Sequence, residues 1–129
     1  PRTGGNVRRA GRVEIRGNSV ALWIGPGWFR ERHGVFVGNA DSILVQANSL
    51  ALARDPLSAA LPVDGIRIFG YFGRYIMVRD NHIPGFGVGI RITPRGTEYT
   101  RSTRFWRVAD NAVLSAAQSA VIAPQAIVS

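Results

Sequence analysis

One eight-residue pattern recurs four times along this chain and decides most of what the chain can fold into. Its copies are Val13-Glu14-Ile15-Arg16-Gly17-Asn18-Ser19-Val20, Ile43-Leu44-Val45-Gln46-Ala47-Asn48-Ser49-Leu50, Ile76-Met77-Val78-Arg79-Asp80-Asn81-His82-Ile83 and Trp106-Arg107-Val108-Ala109-Asp110-Asn111-Ala112-Val113. The shared form is apolar, x, apolar, x, x, Asn, x, apolar, and the asparagines lie 30, 33 and 30 residues apart. A fixed period of this length marks a repeat architecture, in which each unit buries its apolar face only against its neighbours.

A second segment alternates with the first: Gly34-Val35-Phe36-Val37, Gly65-Ile66-Arg67-Ile68, Gly89-Ile90-Arg91-Ile92 and the weaker Ala120-Val121-Ile122-Ala123. Both segments alternate apolar and polar with period two and are rich in β-branched residues, which predicts short strands. Ala112 to Ala120 has helix-like composition, but the repeat predicts coil running into a strand there. Strands of this kind stack in register about 4.8 Å apart, so that Val, Ile and Leu form continuous inner columns. The expected fold is all-β: a right-handed parallel β-helix of three to four coils, each about 24 residues in its compact form. Longer intervals then hold loops at Trp23–His33, Ala53–Asp64 and Thr93–Arg104. We place an N-terminal extension or preceding coil at 1–11, the repeats at 12–123 and a terminal or continuing coil at 124–129.

The pairing of Gly-Ile-x-Ile, at 65–68 and 89–92, with apolar-x-Val-x-x-Asn-x-Ile, at 76–83, resembles the parallel β-helix repeats of the pectin-lyase-like superfamily. The resemblance covers residues 12–123. It implies the β-helix fold, and it implies that Asn18, Asn48, Asn81 and Asn111 stack as a ladder, their amides hydrogen-bonding from coil to coil. It leaves function open, because that superfamily holds lyases, hydrolases, epimerases, tailspikes, adhesins and non-catalytic repeats.

Chemistry is sparse. The chain has eight acidic residues, and the repeat brings together one pair, Asp80 and Asp110, at about one coil spacing. Carboxylates about 5 Å apart suit a retaining glycosidase or calcium, but Asp-Asn is also ordinary turn chemistry. The motifs expected of polygalacturonase-like enzymes are absent, and so are the clustered aspartates of the lyases. No catalytic set is assigned; Asp80 and Asp110 are the nearest thing to one. His33 and His82 lack partners at metal-ligand spacing and read as turn residues. No metal or cofactor is expected.

The net charge is +8, carried by 16 arginines and no lysine. That balance attracts polyanions. The arginines are spread rather than clustered, apart from Arg8, Arg9 and Arg12, so nucleic acid is disfavoured as a partner. The absence of lysine looks like the bias of a GC-rich genome. No run approaches the roughly 20 apolar residues needed to span a bilayer, and with no cysteines there are no disulfides.

Outward positions supply the candidate ligand contacts. Arg67 and Arg91 neighbour each other, flanked by Phe36 and Ile122. Arg16, Gln46, Arg79 and Ala109 form another outward column. Stacked arginines require acidic neighbours, solvent or a polyanion. Trp23, Trp28 and Phe29 put aromatic faces beside arginines, suited to sugar rings or to capping the barrel. The expectation is a non-catalytic β-helix segment of a larger bacterial or phage-related surface protein, acting as scaffold or recognising an acidic glycan through Trp23, Trp28, Phe29, Arg16, Arg67, Arg79 and Arg91. The alternatives are a fragment of a polysaccharide lyase or glycoside hydrolase, and a self-assembling fibre or spike element with Leu44 and Met77 at a chain–chain contact. Exposed strand edges predict self-association or continuation into further coils. An extracellular or cell-surface location is favoured over the cytoplasm.

Overall fold

A computed structural model describes residues 10–26, 32–56, 63–70, 75–94, 105–114, 116, 119–123 and 127–128. These residues form a parallel β-helix with no helical segment among them. Sheet A contains β1 (Ala10–Arg16), β4 (Ala40–Gln46), β7 (Tyr75–Arg79), β10 (Phe105–Ala109) and β13 (Ile127–Val128). Sheet B contains β2 (Ser19–Ile24), β5 (Ser49–Arg54), β8 (His82–Pro84) and β11 (Ala112–Leu114). Sheet C contains β3 (Arg32–Gly38), β6 (Val63–Gly70), β9 (Val88–Pro94) and β12 (Ser119–Ile122). The chain visits A, B and C in turn, and each strand pairs in parallel with its equivalent one coil away.

The register is the one the repeat predicts. On sheet A, Val13, Ile43, Ile76 and Trp106 align, as do Ile15, Val45, Val78 and Val108. On sheet C, Ile66 aligns with Val35 and Ile90, and Ile68 with Val37 and Ile92. These columns form one apolar core. Complete burial of such a side chain is worth about 1.5–3 kcal/mol.

The eight-residue pattern proves to span two sheets rather than one strand. It turns from A to B at the residue before each asparagine. Gly17, Ala47, Asp80 and Asp110 all have positive φ, of 67°, 57°, 57° and 57°. This left-handed conformation costs an ordinary L-residue about 1–2 kcal/mol, and glycine and aspartate tolerate it best.

The asparagine ladder is present. The Oδ1 of Asn81 accepts the backbone N–H of Asn48 at 3.0 Å and its Nδ2 at 3.0 Å. Asn81 in turn donates from N and Nδ2 to Asn111 Oδ1, at 3.0 and 2.9 Å, and Asn18 donates in the same way to Asn48. A second Nδ2 bond runs from Asn48, Asn81 and Asn111 to the carbonyls of Ile15, Val45 and Val78. Each inner amide therefore uses both donors and accepts twice, leaving it nothing to offer a ligand. Asn48 and Asn81 are 1% exposed.

Two expectations need correction. The expected loops Trp23–His33, Ala53–Asp64 and Thr93–Arg104 are drawn too long: Trp23 lies in β2, His33 in β3, Ala53 in β5, Asp64 in β6 and Thr93 in β9, because the period-two pattern extends past the repeat. His33 and His82 are strand residues, in β3 and β8, and not turn residues. Ala112 to Ala120 carries β11 and the start of β12, as the repeat predicted.

Candidate functional site

The outer face of sheet C is built by a break in the alternation. A Cβ on Gly65 would collide with Ile83 and lie 2.6 Å from the Gly89 carbonyl oxygen. Gly65 therefore faces the interior, next to an equally internal Ile66. Gly34 and Gly89 are confined in the same way, by Leu50 and by Val113. With two successive residues inside, the preceding Asp64 turns to the same side as Arg67.

Asp64 is 4% exposed and gathers the charges of this face. Its Oδ2 accepts from Arg91 Nε at 2.9 Å and from Arg67 Nη1 at 3.5 Å. His33 Nδ1 lies 3.9 Å from the same oxygen. Asp64 Oδ1 is buried without a hydrogen-bond partner among the described residues. The His33 ring stacks on Phe36 at 5.5 Å, and Arg67 sits 5.2 Å from the Phe69 ring centroid. Phe36, Arg67, Arg91 and Ile122 follow one another across the sheet in register, as expected.

Electrostatics explains why Asp64 is there. Two guanidinium groups one strand spacing apart repel by about 3 kcal/mol at an effective dielectric near 20. One carboxylate between them removes most of that repulsion and leaves the group with one excess positive charge. The arginine side chains keep 18% and 25% exposure, so they remain within reach of a ligand. Phe36 beside them is 54% exposed.

The other candidates are divided among different faces. Trp23 lies on sheet B, 59% exposed. Its ring folds across Gly25, where an added Cβ would meet it, so it covers the side of the barrel, and its backbone carbonyl accepts from Arg32 at 3.3 Å. Trp28 and Phe29 lie outside the described residues. Arg16, Gln46, Arg79 and Ala109 are register neighbours on sheet A. Arg79 Nε donates to Asp80 at 2.9 Å, and Arg16 lies 3.8 Å from Glu14, which also pairs with Arg12. Ala109 holds an outward register position yet is 4% exposed, its methyl group lying low among the longer side chains of Met77, Arg79 and Arg107. Leu44 and Met77 are adjacent and half-buried.

Asp80 and Asp110 occupy equivalent left-handed turns, and the Asp80 carboxylate is held by Arg79. The described residues contain no group of three or more potential metal ligands. Sequence reasoning missed Asp64 as the hub of the arginine pair. The signal was available in its spacing, one residue before the strand glycine and three before Arg67. Comparison with known protein families, with curated proteins and with solved structures returned no match.

Proposed function

We propose that this chain is a non-catalytic segment of a bacterial or phage-related surface protein, of the pectin-lyase-like repeat type, that recognises an acidic glycan along the outer face of sheet C. One observation carries this reading: Arg67 and Arg91 share a single buried carboxylate, so the pair is held in place and still carries excess positive charge. Sugar carboxylates or sulfates meet the guanidinium forks, which favour planar bidentate contacts. A sugar ring face packs on the exposed Phe36 ring.

The test is calorimetric titration with uronate oligosaccharides against neutral oligosaccharides of equal length. Binding of the acidic series is expected at low salt, weakening as salt screens the exposed charges. Arg91→Ala abolishes it, and Arg91→Lys retains the charge but binds more weakly because the fork is lost. Equal binding of neutral and acidic chains, or wild-type affinity in Arg91→Ala, refutes the reading.

A second reading, the fibre element, draws support from sheet B. Its outer positions include Ser19, Ala21, Trp23, Ser49, Ala51, Ala53, Ala112 and Leu114, all exposed and none of them charged. A +8 chain meets its own copy most easily through such a face. Concentration-dependent sedimentation that is abolished by Ala51→Arg would favour it.

A further inference from the structure

Sheet A carries a cleft of about 230 Å³ on its outer side, lined by Met77, Arg79, Phe105, Arg107, Ala109 and Asp110. We propose that this cleft binds a small aromatic carboxylate, a single planar ring with one anionic group, independently of the glycan face on sheet C.

The cleft exists because of residue size. Ala109 occupies the place in its column that Arg79 fills one coil earlier. A methyl group therefore forms the floor where its neighbours have long side chains. The cleft opens to solvent and is smaller than the roughly 300–1,000 Å³ of pockets for drug-sized ligands, which suits a single ring.

The ring is specified by the aromatic pair at the edge. Tyr75 and Phe105 are register partners in adjacent coils, with centroids 5.3 Å apart and planes 14° from parallel. Both remain exposed, at 37% and 42%. Met77 adds a polarizable wall; thioether–ring contacts are favourable. A planar ligand ring extends this apolar surface at offset-stacking distance.

The anion is specified by Arg107. It lies two residues from Phe105 on the same side of the strand, about 7 Å along it. Arg107 makes no ion pair among the described residues, whereas Arg79 on the opposite wall is held by Asp80 at 2.9 Å. One uncommitted fork beside an aromatic wall fits one carboxylate attached to one ring. Asp110 is also without an ion pair among the described residues. It disfavours a second negative charge and favours a hydroxyl or amine donor on the far side of the ring. That excludes a doubly charged phosphate monoester as the best occupant.

The experiment titrates the full chain with 4-hydroxybenzoate, following ligand-detected NMR and calorimetry, with glucuronate and adenosine monophosphate as comparison probes. Hydroxybenzoate is expected to bind best. Phe105→Ala and Arg107→Ala each weaken it at least tenfold, and Arg107→Lys weakens it less. Asp110→Asn narrows the preference for hydroxybenzoate over plain benzoate. Arg91→Ala leaves hydroxybenzoate binding unchanged while removing acidic oligosaccharide binding, so the two sites fail separately. Circular dichroism and melting confirm that the outward variants stay folded. Preference for glucuronate or the nucleotide, affinity unmoved by Phe105→Ala and Arg107→Ala, or no hydroxybenzoate binding at millimolar concentration overturns the proposal.

Discussion

Two corners of the third coil, A to B and B to C, solve the same problem with opposite chemistry. At Asp80–Asn81 the chain turns from sheet A to sheet B through a polar device: one left-handed residue, then an amide bonded to the coils on either side. At Gly85–Phe86–Gly87 it turns from sheet B to sheet C through an apolar one. Gly85 takes φ of 73°, Phe86 drops into the core at 1% exposure, and Gly87 donates to the Val63 carbonyl at 2.9 Å. The first corner recurs in every coil with two residues. The second changes length from coil to coil, its links running over 25–31, 55–62, 85–87 and 115–118. A ladder works only if every rung has the same geometry, so that corner tolerates no insertion. An apolar plug answers to local volume alone, so that corner can vary.

Breaking the plug should cost most. Phe86→Ala removes a buried ring and leaves a cavity, and is expected to destabilise by about 3–5 kcal/mol. The loss should be measurable as a lower urea midpoint at unchanged slope. A cost under about 1 kcal/mol would mean that the corner collapses freely and Phe86 is not the plug.

Breaking the ladder should cost less per residue. Asn81→Leu leaves the Asn48 donors and the Val45 carbonyl without their partner, at about 1–3 kcal/mol. An unchanged melting midpoint would refute the ladder's contribution to stability. The effect should be communicated to the neighbouring coils, with amide exchange accelerating at Asn48, whose N–H loses its acceptor. Phe86→Ala should accelerate exchange mainly within its own coil.

The smallest effects set the two backbones against each other. Gly85→Ala places a side chain at positive φ in open space, where no atom lies within 4 Å of the new Cβ. The strain alone should cost about 1–2 kcal/mol. Ala47 already sits at φ 57° and is exposed. Ala47→Gly should therefore raise the melting midpoint by a similar amount, with opposite sign. Equal signs for the pair would show that left-handed strain is not what separates these positions.

The contrast between the two corners is also the contrast between what could and could not be read in advance. A feature imposed on every coil leaves a period, and periods are visible in one dimension. The fold class, the parallel register, the equivalence of Asn18, Asn48, Asn81 and Asn111, and the Phe36–Arg67–Arg91–Ile122 row follow from spacing, because stacked coils place equivalent residues one strand apart. That the four amides bond as a ladder is what the family resemblance implied. Features that occur once leave no period. The burial of Phe86, the turning of Asp64 toward Arg67 and Arg91 and the gap over Ala109 each depend on which neighbour fills which volume. The candidate ligand residues show the same division. The outward placement of Arg16, Arg67, Arg79 and Arg91 was legible, and so was their division into two columns, one from each repeated segment. That Trp23 stands apart from both on a third face, sheet B, was not, because alternation tells inside from outside and is blind to which of three outer faces a residue joins. That choice is made by the left-handed turn before each asparagine and by the internal glycines of sheet C. Sequence thus determined the coil and its repeated contacts. Tertiary packing decided where the charges meet, since a carboxylate finds its arginines only after the chain has closed a full turn around the core.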